Sequence, residues 1–124
     1  MADQRLHESA EQAVQYCCAE IFALEVITGR WRLPIIWTLA QHESLRYNDL
    51  KRRVTGVTNI MLTRALRSLE VHLLVERREF RQIPPHVEYS LTPKCREVLP
   101  ALEMLHAWGN GLLNAYHARQ AIDD

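Results

Sequence analysis

Two adjacent prolines, Pro84 and Pro85, stand between two β-rich runs and set the strongest constraint on how this chain can fold. Val75–Phe80 precedes them. Val87–Leu91 follows, alternating apolar Val87, Tyr89 and Leu91 with polar Glu88 and Ser90, the pattern of a strand with one buried face. Proline brings no N–H to a ladder, so the pair cannot continue the pairing and must project as a loop. A hairpin with a proline tip is therefore expected, decorated by Arg77, Arg78, Arg81 and His86.

Just upstream the period changes from two to between three and four. Tyr47–Val54 reads as a short helix, and Gly56 supplies the positive-φ freedom that suits a helix C-terminus. Thr58 follows as an N-cap, its hydroxyl able to accept an orphan backbone N–H, and a second helix runs over Asn59–His72. About three residues separate the two, the turn length of a helix-turn-helix. On the second helix Leu62, Ala65, Leu66 and Leu69 share one side. At about 100° per residue, Asn59, Ile60, Thr63, Arg64 and Arg67 fall on the opposite arc. Amide, methyl, hydroxyl and guanidinium groups in one stripe suit the reading of base edges. A plain solvated face would look similar, but has little reason to centre on an isoleucine, for which a thymine methyl is a partner.

The order over Asn48–Thr92 is thus helix, tight turn, helix, strand, loop, strand. That is a winged helix-turn-helix: an α+β fold, mostly α, with a two- to three-stranded wing. The architecture presents one helix to a DNA major groove. Thr58, Asn59, Ile60, Thr63, Arg64 and Arg67 become candidate recognition-helix contacts, and Arg46, Arg53, Arg78, Arg81 and His86 candidate phosphate contacts from the backbone and wing.

Helical patterns flank this centre. Leu6, Ala10, Ala13, Val14, Cys17, Ile21 and Leu24 make one stripe of a helix over about residues 5–28, with Gly29 as its stop. A helix from about Arg30 to Gln41 follows, with Pro34 in its first turn, where the missing N–H costs little. Ser44–Arg46 is a short extended link. Thr92-Pro93 opens a last helix of about 25 residues carrying Leu99, Leu102, Leu112 and Tyr116, with Pro100 expected to kink or restart it. A small domain has little left to cover such a stripe. The expectation is one domain over 1–124, with a DNA-binding core at about 28–92 and dimerisation helices at about 5–28 and 93–119. A homodimer also matches half-sites spaced by a turn of duplex.

A chain of 124 residues suffices for one core. Its net charge of zero hides a partition: residues 28–90 hold 11 Lys and Arg against 6 Asp and Glu, while 1–27 hold 1 against 5 and 91–124 hold 3 against 4. A basic centre between acidic ends fits double-stranded DNA as partner. No apolar run is long enough for a membrane span, the N-terminus lacks a signal-peptide layout, and three cysteines without framework spacing point to a reducing, cytoplasmic setting. The six histidines show no metal-ligand spacing, and neither a nucleophile elbow nor a phosphate-cradling glycine loop occurs. No enzyme activity, cofactor or metal is expected. The alternative reading is a winged-helix protein–protein interaction module without a specific operator, which would bind duplex DNA weakly and without preference.

Several blocks, in order, carry a resemblance. Cys18 is followed twelve residues later by Arg30-Trp31; then come Leu45-Arg46-Tyr47-Asn48-Asp49-Leu50, Met61-Leu62-Thr63 and Leu66-Arg67-Ser68-Leu69-Glu70. Pro84-Pro85-His86-Val87-Glu88-Tyr89-Ser90-Leu91-Thr92, Pro100 and Trp108-Gly109 complete the set. From about Cys18 to Gly109 the chain resembles the HxlR-type transcriptional regulators, small dimeric winged-helix proteins of the MarR-like group. The resemblance implies a DNA-binding repressor and an oxidant or small-molecule effector. It also places Cys18 where some members carry a redox-sensing cysteine, but the residues themselves favour Cys17 and Cys18 as small apolar packing residues, since free cysteine is among the most buried types. Four positions depart from the family pattern. Ala19 replaces a proline, Ile60 a basic residue of the recognition helix, and Leu73 and Cys95 two glycines. The family's usual operator is therefore not carried over through Ile60, and the turn after the recognition helix must be built without glycine.

Overall fold

The structure, a computed structural model, describes residues 18–123. The first helix, α1, spans 18–28 of these; the part expected earlier, with Cys17, lies outside the described residues. Then follow α2 (Arg32–Ala40), β1 (Leu45–Arg46), α3 (Tyr47–Arg53), α4 (Asn59–Val71), β2 (Val75–Phe80), β3 (His86–Leu91) and α5 (Pro93–Asp123).

The core is the meeting of four apolar faces. Ile35, Ile36 and Leu39 of α2, Leu50 of α3 and Leu62, Leu66 and Leu69 of α4 close over Val75, Tyr89 and Leu91 of the sheet, with Cys95 and Leu102 of α5 completing the cluster. The Leu62–Leu69 side of α4 is buried as its periodicity requires. The wing has three strands, because the extended link has become β1: the order is β1-β3-β2, antiparallel throughout, with Leu45 opposite Tyr89 and Arg77 opposite Tyr89 on the other side. Central β3 therefore binds the hairpin to the strand that runs directly into α3. The loop over Arg81–Pro85 is exposed, and its Ile83–Pro84 peptide is cis.

Three local expectations are corrected. Helix α2 begins at Arg32 rather than Arg30, because Trp31 takes a left-handed conformation (φ 74°, ψ −13°) at the N-cap. The turn between α3 and α4 is five residues, Val54–Thr58, since α3 stops at Arg53 and Gly56 turns at φ 85°. Helix α5 is continuous for 31 residues and does not restart at Pro100. That proline is exposed, and the helix passes through it although it has no N–H for the carbonyl four residues back.

Both junctions around the hairpin are closed by specific bonds. At the end of α4, Leu74 N–H donates to Leu69 O (2.8 Å) and Leu73 N–H to Glu70 O (3.1 Å), with Leu73 at φ 64°. This is a Schellman motif with leucine at the position glycine usually fills. Thr92 Oγ1 accepts from Cys95 N–H (3.1 Å), capping α5, and donates to Leu73 O (2.6 Å). Past Leu102, every residue of α5 through Ile122 except Gly109 is exposed. Among the described residues no helix is long and apolar enough to cross a membrane.

Candidate nucleic-acid interface

The expected recognition stripe stands outward. Thr58, Asn59, Ile60, Thr63, Arg64 and Arg67 are all exposed, Ile60 by 66 %. Thr58 caps the helix as its chemistry predicts, its Oγ1 accepting the Met61 N–H at 3.2 Å. The stripe is also held in place from α3. Tyr47 Oη lies 3.1 Å from both the backbone oxygen and the Oδ1 of Asn59, to either of which it can donate. It also lies 3.2 Å from Thr63 Oγ1. One phenol thus orients two side chains of the stripe. Tyr47 was not among the expected site residues, and no sequence signal marks it, because its bonds to Asn59 and Thr63 arise only where α3 and α4 meet.

Between α4 and the wing lies a hollow of about 440 Å³ lined by Thr63, Leu66, Arg67, Glu70, Arg77 and Tyr89. Arg77 shares the face of Val75 on β2, as alternation dictates, and so points toward α4 rather than outward along the hairpin. Its Nη1 donates to Glu79 Oε1 at 2.6 Å. The bond to Glu79 holds this guanidinium above its ordinary pKa, with Tyr89 acting in the same sense.

The other face of the sheet carries Arg46, Glu88 and Arg78 in one cross-strand row. Glu88 Oε1 accepts from Ser44 Oγ at 2.6 Å, and its Oε2 lies 3.1 Å from His86 Nε2. The Ser44 bond, then His86, then the Arg46 charge hold this carboxyl below the usual carboxylate range. The Arg78 guanidinium stands 5.9 Å from the centroid of Phe80, and His86 stacks on the same ring at 4.7 Å and 12°. The expected phosphate contacts therefore divide. Arg46, Arg53, Arg78 and Arg81 are exposed, while His86 is half-buried and engaged by Phe80 and Glu88.

The two described cysteines differ in kind. Cys18 is exposed on α1, whereas Cys95 is fully enclosed and burial pushes its thiol pKa up. The access that a thiol sensor requires is present at Cys18 and absent at Cys95.

An exposed polar helix, capped and braced by its partner helix and locked to a three-stranded wing, defines a winged helix-turn-helix regulator that binds DNA. The model of the HxlR-like helix-turn-helix family matches residues 26–117, and the chain belongs to that family. It is 43 % identical over 88 residues to an HTH-type transcriptional regulator of Halalkalibacterium halodurans, covering 71 % of this chain and 78 % of that one. Over 91 residues it is 41 % identical to the HTH-type regulator YtcD of Bacillus subtilis, covering 73 % of this chain and 71 % of that one. The solved structure of YtcD superposes with a TM-score of 0.70 at 39 % identity, over 74 % of this chain and 93 % of that one. The reduced form of the redox regulator HypR superposes at 0.73 with 32 % identity, over 81 % of this chain and 98 % of that one.

Proposed function

We propose that the protein is a homodimeric, cytoplasmic, sequence-specific repressor without enzymatic activity, which acts by occupying promoter DNA. The observation that carries this reading is the outward stripe on α4, whose back is wholly committed to the core. Asn59, Ile60, Thr63, Arg64 and Arg67 read base edges in the major groove, oriented in part by Tyr47 and capped by Thr58. Arg46, Arg53, Arg78 and Arg81 contact phosphates, and His86 serves the wing's own packing. The exposed apolar row of α5, with Ile21, Phe22 and Leu24 of α1, supports pairing of two copies. Repression by occupancy asks nothing of the chain beyond tight, selective binding.

The test is selection of bound duplexes from random DNA by the purified protein, followed by titration of variants on the selected sequence. Arg67→Ala should weaken the selected duplex by about 1–3 kcal/mol while changing binding to unrelated duplex little. Arg81→Ala should weaken both alike and flatten the salt dependence. Recovery of no preferred sequence at physiological salt would refute the reading.

A further inference from the structure

The side of α4 turned away from the wing carries a second basic hollow, of about 200 Å³, lined by Arg30, Trp31, Arg32, Met61, Arg64 and Ala65. Its three guanidiniums are not equivalent. Arg32 Nη1 donates to the carbonyls of Glu25 (2.9 Å) and Val26 (3.2 Å), closing the end of α1. Arg30 and Arg64 are exposed and, among the described residues, have neither a carboxylate nor a carbonyl partner.

Arg30 is nevertheless held in place. Its guanidinium carbon lies 5.7 Å from the centroid of the Trp31 ring, within cation–π reach. That ring is anchored at one end, where its Nε1–H donates to Met61 Sδ on α4 at 3.1 Å; its other edge faces the Gly56 turn, where an added Cβ would stand 3.6 Å from it. Trp31 thus ties the start of α2 to the recognition helix. Its left-handed backbone is unfavourable for a residue with a side chain. The platform under Arg30 is consequently in register with α4 itself.

We infer that Arg30 grips a DNA phosphate on the flank of α4 opposite the wing. The inference rests on the DNA-binding reading above. A helix of about 10–12 Å diameter fills a major groove about 12 Å wide, so a phosphate strand runs along each side of it. The wing meets one strand. Arg30, beside Arg64 and presented by Trp31, meets the other with a fork that matches phosphate geometry. The recognition helix is clamped from both flanks, which fixes its depth and register in the groove.

Fluorescence anisotropy over about 50–200 mM salt tests this, using the duplex selected by the wild-type protein and a scrambled duplex of equal length. Arg30→Ala should weaken both by the same factor and lower the slope of log K against log salt by about 0.9. Arg30→Lys should keep the slope. Thermal melting checks that each variant is folded. A wild-type slope for Arg30→Ala on both duplexes overturns the inference, and so does a loss confined to the selected duplex, which would make Arg30 a base reader. If the wild-type protein itself shows no salt-dependent binding to duplex DNA, the broader DNA-binding reading falls instead.

Discussion

At the scale of single residues, two side chains occupy backbone conformations that favour glycine, for different reasons. Trp31 (φ 74°) is half-buried and its ring is bonded to Met61, so its strain is tied to contacts that only the indole makes. Leu73 (φ 64°) is 71 % exposed and its side chain packs little; only its backbone is needed, for the bonds to Glu70 and Thr92. Left-handed backbone costs an L-residue about 1–2 kcal/mol, and glycine's extra entropy in the unfolded chain offsets part of the gain on replacement. Leu73→Gly should therefore stabilise the protein by roughly 0.5–1 kcal/mol, read as a rise in the urea midpoint at unchanged slope. A midpoint equal to or below wild type would show that the leucine side chain is holding something. Glycine at Trp31 should not behave this way, because it removes the ring along with the strain.

At the scale of elements, the hairpin and the two helices before it were legible because each advertises a period: Val87, Tyr89 and Leu91 by twos, Leu62, Leu66 and Leu69 by threes and fours, with Pro84-Pro85 marking the loop. Strand β1 was legible only as an extended link, since two residues show no period and Leu45–Arg46 becomes a strand by pairing with residues over forty positions away. The site was legible to the same degree. The stripe on α4 follows from one helix's own geometry. The inward turn of Arg77, the engagement of His86 and the bracing by Tyr47 arise from contacts between elements. Glu88 shows the energetic side of such contacts. Its folded-state pKa lies below the unfolded value, so its contribution to stability is present above the ordinary carboxylate range and is lost as pH falls through the depressed value. Urea titrations of wild type and Glu88→Gln should show wild type ahead near neutrality, with the gap closing below about pH 4. A gap independent of pH would mean that the ion contributes nothing beyond its shape.

At the scale of the molecule, the buried core ends at Leu102 while α5 runs on, leaving Met104, Leu105, Trp108, Leu112, Leu113 and Tyr116 exposed. Apolar surface of this extent is uncommon on a monomer, and a second copy is the partner this reading calls for. Leu112→Asp combined with Trp108→Asp should halve the mass seen by light scattering and sharply weaken binding to a two-half-site duplex, because the paired attachment is lost. An unchanged mass would place the contact elsewhere. The strand order bears on how such a pair could be governed. With β3 in the middle, β1 entering α3 without an intervening residue, and Tyr47 and Trp31 each fastening α4 to a neighbour, each reading head is stiff. In the proposed dimer an effector would then have little to bend within a head, and the adjustable coordinate would be the span between two heads, set at the long helices proposed to join them.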